Sequence, residues 1–415
     1  MKAEIRPSFV HGTVEAVPSK SHAHRLLIAA ALADAPCKVI CPAVSRDIEA
    51  TAQCLSALGA DVTRTEYGFA VSPVTNAERH AMLDCGESGS TLRFLLPVAC
   101  ALGVNATFTG RGRLPYRPVS ALADCLRRGG AEVGSDSLPL LTGGRLSARE
   151  YTVDATVSSQ YVSGMLFALA STGEEKILRT TGTPVSTGYT DMTLAVLALF
   201  GKTVEHENGV YTILAGRLRS PGSVRAEGDW SSAAFLLAAG ALKGDVTVTG
   251  LDPESAQADK RMADILADMG ARIELTPVSC RAIQGELHGI ERDVEDTPDL
   301  APVLSVLMAQ ASGKSVMTGV SRLKDKESDR LAAIVENLAA MGVRTQTDGS
   351  VLTIYGGGIK TFGAHGFGDH RMVMSAAVAG LVSGGEVDDA EAVSKSYPAF
   401  FADLKSLGGN CDETL

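Results

Sequence analysis

Six helix-like segments of this chain close on a Leu-Gly-like pair: Leu58-Gly59, Gly129-Gly130, Phe200-Gly201, Met269-Gly270, Met341-Gly342 and Leu407-Gly408. The pairs recur at intervals of about 70 residues, so the fold must be built from repeated modules. Glycine just past a last helical turn is the expected left-handed cap. A second series keeps the same period. It consists of apolar helices opening at Ser21, Ser90, Ser158, Ser231, Asp299 and Asp369, all residue types that cap helix N-termini. These helices, such as Leu26 to Leu32 or Met372 to Val382, are rich in Ala, Leu and Gly on every face and are expected to be buried. The Leu-Gly helices carry a single apolar stripe. Leu331, Ile334, Val335, Leu338 and Met341 recur at helical spacing with charges between them.

Strand-like runs lie around the helices at Val14 to Val17, Lys38 to Ile40, Thr107 to Thr109, Asp245 to Thr249 and Ser315 to Thr318. Hairpin signals follow the Leu-Gly helices, as at Glu207-Asn208-Gly209 and Asp348-Gly349. Each unit therefore reads as strand, buried helix, strand, amphipathic helix, hairpin. Six such α/β units split as three plus three. The first lobe is expected over residues 18–227 and the second over residues 1–17 plus 228–415, with Ala3 to Val10 as an extra strand of the second. Two crossings, near Gly12 to Pro18 and near residue 227, would suit a hinge.

The chain has 415 residues, 45% hydrophobic and 21% charged, which is ordinary for a soluble globular protein with two sizeable cores. A net charge of -10 argues against nucleic acid or an anionic membrane as partner, since those are met by clustered excess Lys and Arg. Met1 to Val10 lacks a signal-peptide core and no apolar run approaches a membrane span, so a cytoplasmic location is expected. The eight cysteines form no CxxC pair and read as buried thiols; His22 and His24 have no ligand cluster beside them.

The chemistry gathers at the helix entrances. The stretch Gly86-Glu87-Ser88-Gly89-Ser90-Thr91-Leu92-Arg93 opens an apolar helix with free backbone N–H groups and a glycine that lets an anion approach closely. The other five entrances carry different side chains: Ser19-Lys20-Ser21 with Arg25, Ser158-Ser159-Gln160, Asp229-Trp230-Ser231, Asp296 to Asp299, and Asp369-His370-Arg371. A pure scaffold would repeat similar residues at equivalent places, so divergence within a repeated frame points to a site. For Ser90, Ser231 and Asp229, capping alone is an equally good account. Cations such as Lys20 and Arg371 sit where a helix dipole disfavours them. A basic loop, Arg111 to Pro118, and the charged run Arg322 to Arg330 add further anion-binding groups, with Lys395 near the C-terminus. The residues thus point to a cleft between two lobes, ringed by cations, with Asp299 and Glu327 as candidate acid and base. Small, multiply anionic ligands would suit it. No P-loop, GxGxxG, GxSxG or metal-binding pattern is present in the sequence.

Five stretches in order resemble the enolpyruvyl transferases, and among them the 5-enolpyruvylshikimate-3-phosphate synthase family. They are Pro18-Ser19-Lys20-Ser21 with Arg25, Cys85 to Ser90 with Arg93, Val157 to Gln160, Lys326 to Arg330, and Gly368 to Met372. The resemblance implies a two-lobed α/β fold of six βαβαββ units, three per lobe around buried helices. It implies transfer of the enolpyruvyl group of phosphoenolpyruvate to the 5-hydroxyl of shikimate 3-phosphate by addition and elimination, with neither metal nor cofactor. Phosphoenolpyruvate would be bound by Lys20, Gly89, Arg117, Gln160, Arg330, Arg371 and Lys395. Shikimate 3-phosphate would be held by Lys20, Ser21, Arg25, Ser158, Ser159, Gln160, Ser186, Asp299 and Lys326. Glu327 resembles the proton donor and Asp299 the base, with Lys20 assisting. Surrounding cations would favour both carboxylates ionised, so Glu327 must be protonated transiently or share a proton with the ligands. The first lobe would be mainly the shikimate 3-phosphate side and the second mainly the phosphoenolpyruvate side. Glu87 and Arg322 depart from the family pattern, each standing where Asn is found in other members. Gly89 resembles the glycine that leaves room for the herbicide glyphosate, which implies sensitivity to it.

Two other readings compete. UDP-N-acetylglucosamine enolpyruvyl transferase shares the fold and the donor, but that family usually carries a cysteine in the loop before its Arg-Pro pair, and Arg113-Leu114-Pro115-Tyr116-Arg117-Pro118 has none. A ring-shaped DNA clamp could also be built from six α/β repeats, yet would have no need of Asp299, Glu327 and His370 among so many cations. A monomer acting on two small molecules is the expectation.

Overall fold

In a computed structural model of the chain, which describes residues 1–414, the backbone separates into two compact units. One is Lys20–Ala226; the other joins Met1–Ser19 to the chain from Glu227 onward. Each contains three four-stranded sheets on one plan, in which two parallel strands are followed by an antiparallel pair.

In the Lys20–Ala226 unit, His80–Asp84 runs parallel to Asn105–Thr109, with Leu83 opposite Phe108. Leu140–Gly144 and Ala131–Val133 complete that sheet in antiparallel sense. Glu150–Asp154, Lys176–Thr181, Val210–Ile213 and Val204–Glu207 repeat the arrangement. At the tip of the last hairpin, Asn208 and Gly209 have φ of 49° and 75°, the backbone an Asn-Gly hairpin turn requires. Three helices, Lys20–Ala31, Gly89–Leu102 and Ser159–Ser171, form the core, and most of their residues are buried on all sides. Gly164 lets two of them meet at backbone distance, for a Cβ there would fall 2.3 Å from the Arg93 carbonyl oxygen. That close approach brings the N-terminal turns bearing Arg93 and Gln160 together.

The second unit buries Trp230–Lys243, Ala301–Gln310 and His370–Ser383 in the same way. Its N-terminal residues form two strands broken at Pro7, in place of one run from Ala3 to Val10. Lys2–Arg6 lies between Gly385–Val387 and Asn410–Thr414, while Val10–Glu15 runs parallel to Gly244–Thr249. The strand expected to begin the first repeat thus pairs with the fourth repeat. The first repeat draws its outer strand from Ser223–Arg225, parallel to Cys37–Ile40. Two strands have exchanged places, and each unit is closed by a strand from the far end of its sequence.

Helix C-termini follow the repeat, while several N-termini fall one or two residues from the expected openers. The glycines at 59, 130, 201, 270, 342 and 408 all have positive φ, as the Leu-Gly pattern predicts. The second and fourth buried helices, however, are capped two residues before Ser90 and Ser231. Ser88 accepts from the Thr91 N–H and Asp229 from the Ser232 N–H. The fifth begins at Ala301 with Leu300 as its cap residue, one position past Asp299, and without a side-chain cap there. Ser158 and Asp369 do cap their helices. All eight cysteines are free and buried. Among the described residues no helix is long and apolar enough to cross a membrane.

Candidate functional site

Within Lys20–Ala226 the expected residues collect at the N-terminal ends of the three buried helices. Lys20 begins the first, and its Nζ lies 2.9 Å from Asp47 Oδ2. The second begins at Gly89, against the Arg117 guanidinium: a Cβ on Gly89 would stand 2.6 Å from Arg117 Nη1. Gln160, in the first turn of the third, is gripped on both sides. Arg93 Nη1 donates to its Oε1 at 2.7 Å and its Nε2 donates to Ser90 Oγ at 2.9 Å. Ser158 caps that helix through the Gln160 N–H, and Ser159 is buried beside it.

Arg25 has a structural occupation as well. Its Nε donates to Thr193 Oγ1 and its terminal nitrogens to the Ser21 and Tyr189 carbonyls, with Cζ 4.9 Å from the centre of the Phe94 ring. Burial lowers its pKa to about 10. Ser186 is buried at the start of Thr187–Leu199 with φ of 53°, a left-handed conformation that a serine adopts at a cost.

In the second unit one arginine organises the rest. Arg330, fully buried, meets three carboxylates: Nε to Asp369 Oδ2 at 2.8 Å, Nη1 to Asp299 Oδ1 at 2.7 Å and Nη2 to Glu327 Oε2 at 2.7 Å. Arg371 Nη2 donates to the other Asp299 oxygen at 2.8 Å. Burial alone would raise the Asp299 pKa, but Arg371, Arg330 and Lys326 hold it far below the usual carboxylate range. Burial lowers the Lys326 pKa to about 8 despite Asp299 nearby. Lys395 Nζ donates to the Gly368 carbonyl at 2.5 Å, just before the His370–Ser383 helix. The two candidate proton-transfer groups therefore share one guanidinium, and the Asp299 carboxylate bridges two. Each Asp299 oxygen thus accepts from a different arginine, Oδ1 from Arg330 and Oδ2 from Arg371.

Several partners were invisible in the sequence. Asp47 reads as an acid favoured by the first turn of Arg46–Ala57, with no hint that it meets Lys20. Asp369 reads as a helix cap, and its hold on Arg330 leaves no sequence mark. Asp259, buried among Ser231, Asp299 and Arg371, has its pKa raised to about 7 by burial and by the Asp299 charge; Ser231 hydrogen-bonds its Oδ2. Glu87 lies across the basic loop, where a Cβ on Gly112 would meet its carboxylate. Half-buried Arg322 stands near Glu295, Asp325 and Asp296, and partial burial lowers its pKa. Among the described residues no group of three or more His, Cys, Asp or Glu side chains could hold a metal ion. What each unit presents is a set of cationic groups at helix N-termini, suited to polyanions, and in the second unit two carboxylates for proton transfer.

Solved structures that superimpose on this chain include enolpyruvyl transferases. EPSP synthase from Acinetobacter baumannii superimposes with a TM-score of 0.82 at 24% identity, covering 100% of both chains. The enolpyruvyl transferase NikO from Streptomyces tendae gives 0.74 at 20% identity, covering 100% of this chain and 98% of that one. Sequence similarity narrows the class. The family model for EPSP synthase (3-phosphoshikimate 1-carboxyvinyltransferase) matches residues 6–404. The 3-phosphoshikimate 1-carboxyvinyltransferase of Aeropyrum pernix is 39% identical, covering 98% of this chain and 96% of that protein. That of Methanothrix thermoacetophila is 37% identical and covers 99% of each. The chain belongs to the EPSP synthase family.

Proposed function

We infer that this chain transfers the enolpyruvyl group of phosphoenolpyruvate to the 5-hydroxyl of shikimate 3-phosphate, releasing phosphate, in aromatic amino acid biosynthesis. The observation that carries this reading is the full-length family match, which covers every stretch in which the candidate residues lie. It favours shikimate 3-phosphate over a nucleotide sugar as acceptor, in keeping with the cysteine-free loop before Arg117-Pro118.

In the proposed reaction the acceptor oxygen bonds to C2 of phosphoenolpyruvate while a proton is added at C3, giving a tetrahedral adduct. Loss of a proton from the new methyl group and cleavage of the C2–O bond to phosphate then restore the vinyl group. Asp299 takes the hydroxyl proton and Glu327 delivers the proton to C3, with Lys20 assisting. The shared Arg330 contact supports this pairing, because an incoming phosphate or carboxylate competes with Asp299 and Glu327 for the same donors. Withdrawal of Arg330 from Glu327 would raise that carboxyl's proton affinity at the moment the substrate arrives. Phosphoenolpyruvate is held by Lys20, Gly89, Arg117, Gln160, Arg330, Arg371 and Lys395; shikimate 3-phosphate by Lys20, Ser21, Arg25, Ser158, Ser159, Gln160, Ser186, Asp299 and Lys326. The Lys20–Ala226 unit would serve mainly shikimate 3-phosphate and the other mainly phosphoenolpyruvate. We propose further that the enzyme works in the cytoplasm as a monomer. Phosphate release from phosphoenolpyruvate, dependent on shikimate 3-phosphate, tests the assignment.

A further inference from the structure

His24 lies four residues past Lys20 on the first buried helix, with no exposed surface. Its Nδ1 is 2.7 Å from Thr51 Oγ1, which is 2.7 Å from Thr91 Oγ1. Thr91 Oγ1 donates to Ser88 Oγ at 2.8 Å, and Ser88 Oγ also accepts the Thr91 N–H at 3.2 Å. None of the four side chains is more than 1% exposed. The chain links the helices Lys20–Ala31, Arg46–Ala57 and Gly89–Leu102, and it ends on the cap of the turn at Gly89.

The direction of this chain is fixed by counting protons. A threonine hydroxyl has one proton to give. Thr91 spends its own on Ser88, so it accepts from Thr51. Thr51 in turn accepts from the imidazole, which must carry its proton on Nδ1. Burial, reinforced by the charges of Lys20 and Arg25, holds the His24 pKa well below the usual range, so the ring stays neutral. Its Nε2 is buried with no hydrogen-bond partner among the described residues. A residue needed only to fill space there would be better apolar, because a buried acceptor without a partner costs stability. The histidine is therefore accounted for by what Nδ1 does.

We propose that His24 is a positioning residue for the phosphoenolpyruvate site, fixing the turn at Gly89 against the Arg117 guanidinium through Thr51, Thr91 and Ser88. The same turn carries Ser90, which receives the Gln160 amide, but Arg93 also grips Gln160, so the contact with Arg117, a group named for phosphoenolpyruvate alone, is the one most affected by a shift of the turn. The proposal rests on the enzymatic reading above and places its main effect on phosphoenolpyruvate.

Steady-state kinetics of wild type, His24→Phe, His24→Asn and Thr51→Val, each varied in both substrates and each checked by thermal melting, test it. His24→Phe and Thr51→Val are expected to raise KM for phosphoenolpyruvate about tenfold while KM for shikimate 3-phosphate changes less than about twofold. His24→Asn, whose amide nitrogen can take the place of Nδ1–H, is expected to recover most of the loss. Equal changes in both KM values, or an Asn variant no better than Phe, would overturn the proposal. Nitrogen chemical shifts of 15N-histidine-labelled wild type, assigned by difference from His24→Asn, give a test that requires no active variant. A neutral Nδ1–H tautomer is expected, and an Nε2–H tautomer would reverse the chain and overturn the proposal. Absence of wild-type turnover on either substrate would instead remove the enzymatic reading, and this proposal with it.

Discussion

Gly89→Ala places a methyl group where the structure has a guanidinium. The new Cβ would lie 2.6 Å from Arg117 Nη1, 2.9 Å from Cζ and 3.1 Å from Nη2. Unstrained contacts of this kind sit at about 3.5 Å, so the guanidinium must withdraw by roughly an ångström. Arg117 is 9% exposed and its backbone N–H is tied to the Leu114 carbonyl, so retreat carries it away from the helix end. If Arg117 binds phosphoenolpyruvate there, the weakened charge-assisted hydrogen bond is worth about 1.5–3 kcal/mol, or roughly ten- to a hundredfold in KM for that substrate. KM for shikimate 3-phosphate and the melting temperature should hardly move, since alanine is well tolerated in a first helical turn. Phosphate-release kinetics with each substrate varied in turn provide the assay. An unchanged KM for phosphoenolpyruvate would refute the reasoning and take Arg117 out of that site.

Asp259 predicts an unusual pH dependence of stability. Burial and the Asp299 charge raise its folded pKa from the ordinary 3.8 to about 7, so the folded state binds the extra proton; the associated stability is complete below about pH 4 and lost as pH rises through about 7, at most about 4 kcal/mol. Urea denaturation should therefore find Asp259→Asn gaining on wild type between about pH 5 and about pH 8, and a pH-independent difference would contradict this. Asp299 acts in the opposite sense: its depressed pKa gives stability present above the unfolded carboxylate value, near pH 4, and lost on further acidification. Glu327→Gln and Asp299→Asn should each lower kcat by about a hundredfold or more with smaller effects on either KM; near-normal kcat in both would remove them from proton transfer. Glyphosate is expected to inhibit the wild-type enzyme competitively with phosphoenolpyruvate, and full activity at high inhibitor concentration would contradict the role given to Gly89.

The repeat made much of the architecture legible, because glycine at a left-handed cap and a helix buried on every face both leave strong marks on composition. Strand partners were not legible. Val10–Glu15 carries nothing in its residues to say that it pairs with Gly244–Thr249 and not with Cys37–Ile40, since parallel pairing depends on the path of the chain. Where two cap residues lie two apart, as Ser88 and Ser90 or Asp229 and Ser231, periodicity alone cannot choose between them. The candidate site divides in the same way. Lys20, Gln160, Arg330 and Asp299 could be named from their places at helix entrances, whereas Asp47, Asp369 and Asp259 acquire their significance only through partners from 27 to 39 residues away in the chain or further. His24 is the extreme case: the sequence shows only that no ligand cluster stands beside it, and the geometry of Thr51 and Thr91 alone gives it a direction.

The central claim is the pair of substrates. Purified protein would be given phosphoenolpyruvate with shikimate 3-phosphate, and in parallel with UDP-N-acetylglucosamine, while inorganic phosphate is followed. Phosphate release with shikimate 3-phosphate and none with the nucleotide sugar is the predicted result. Release only with the nucleotide sugar, or with neither acceptor, would contradict it.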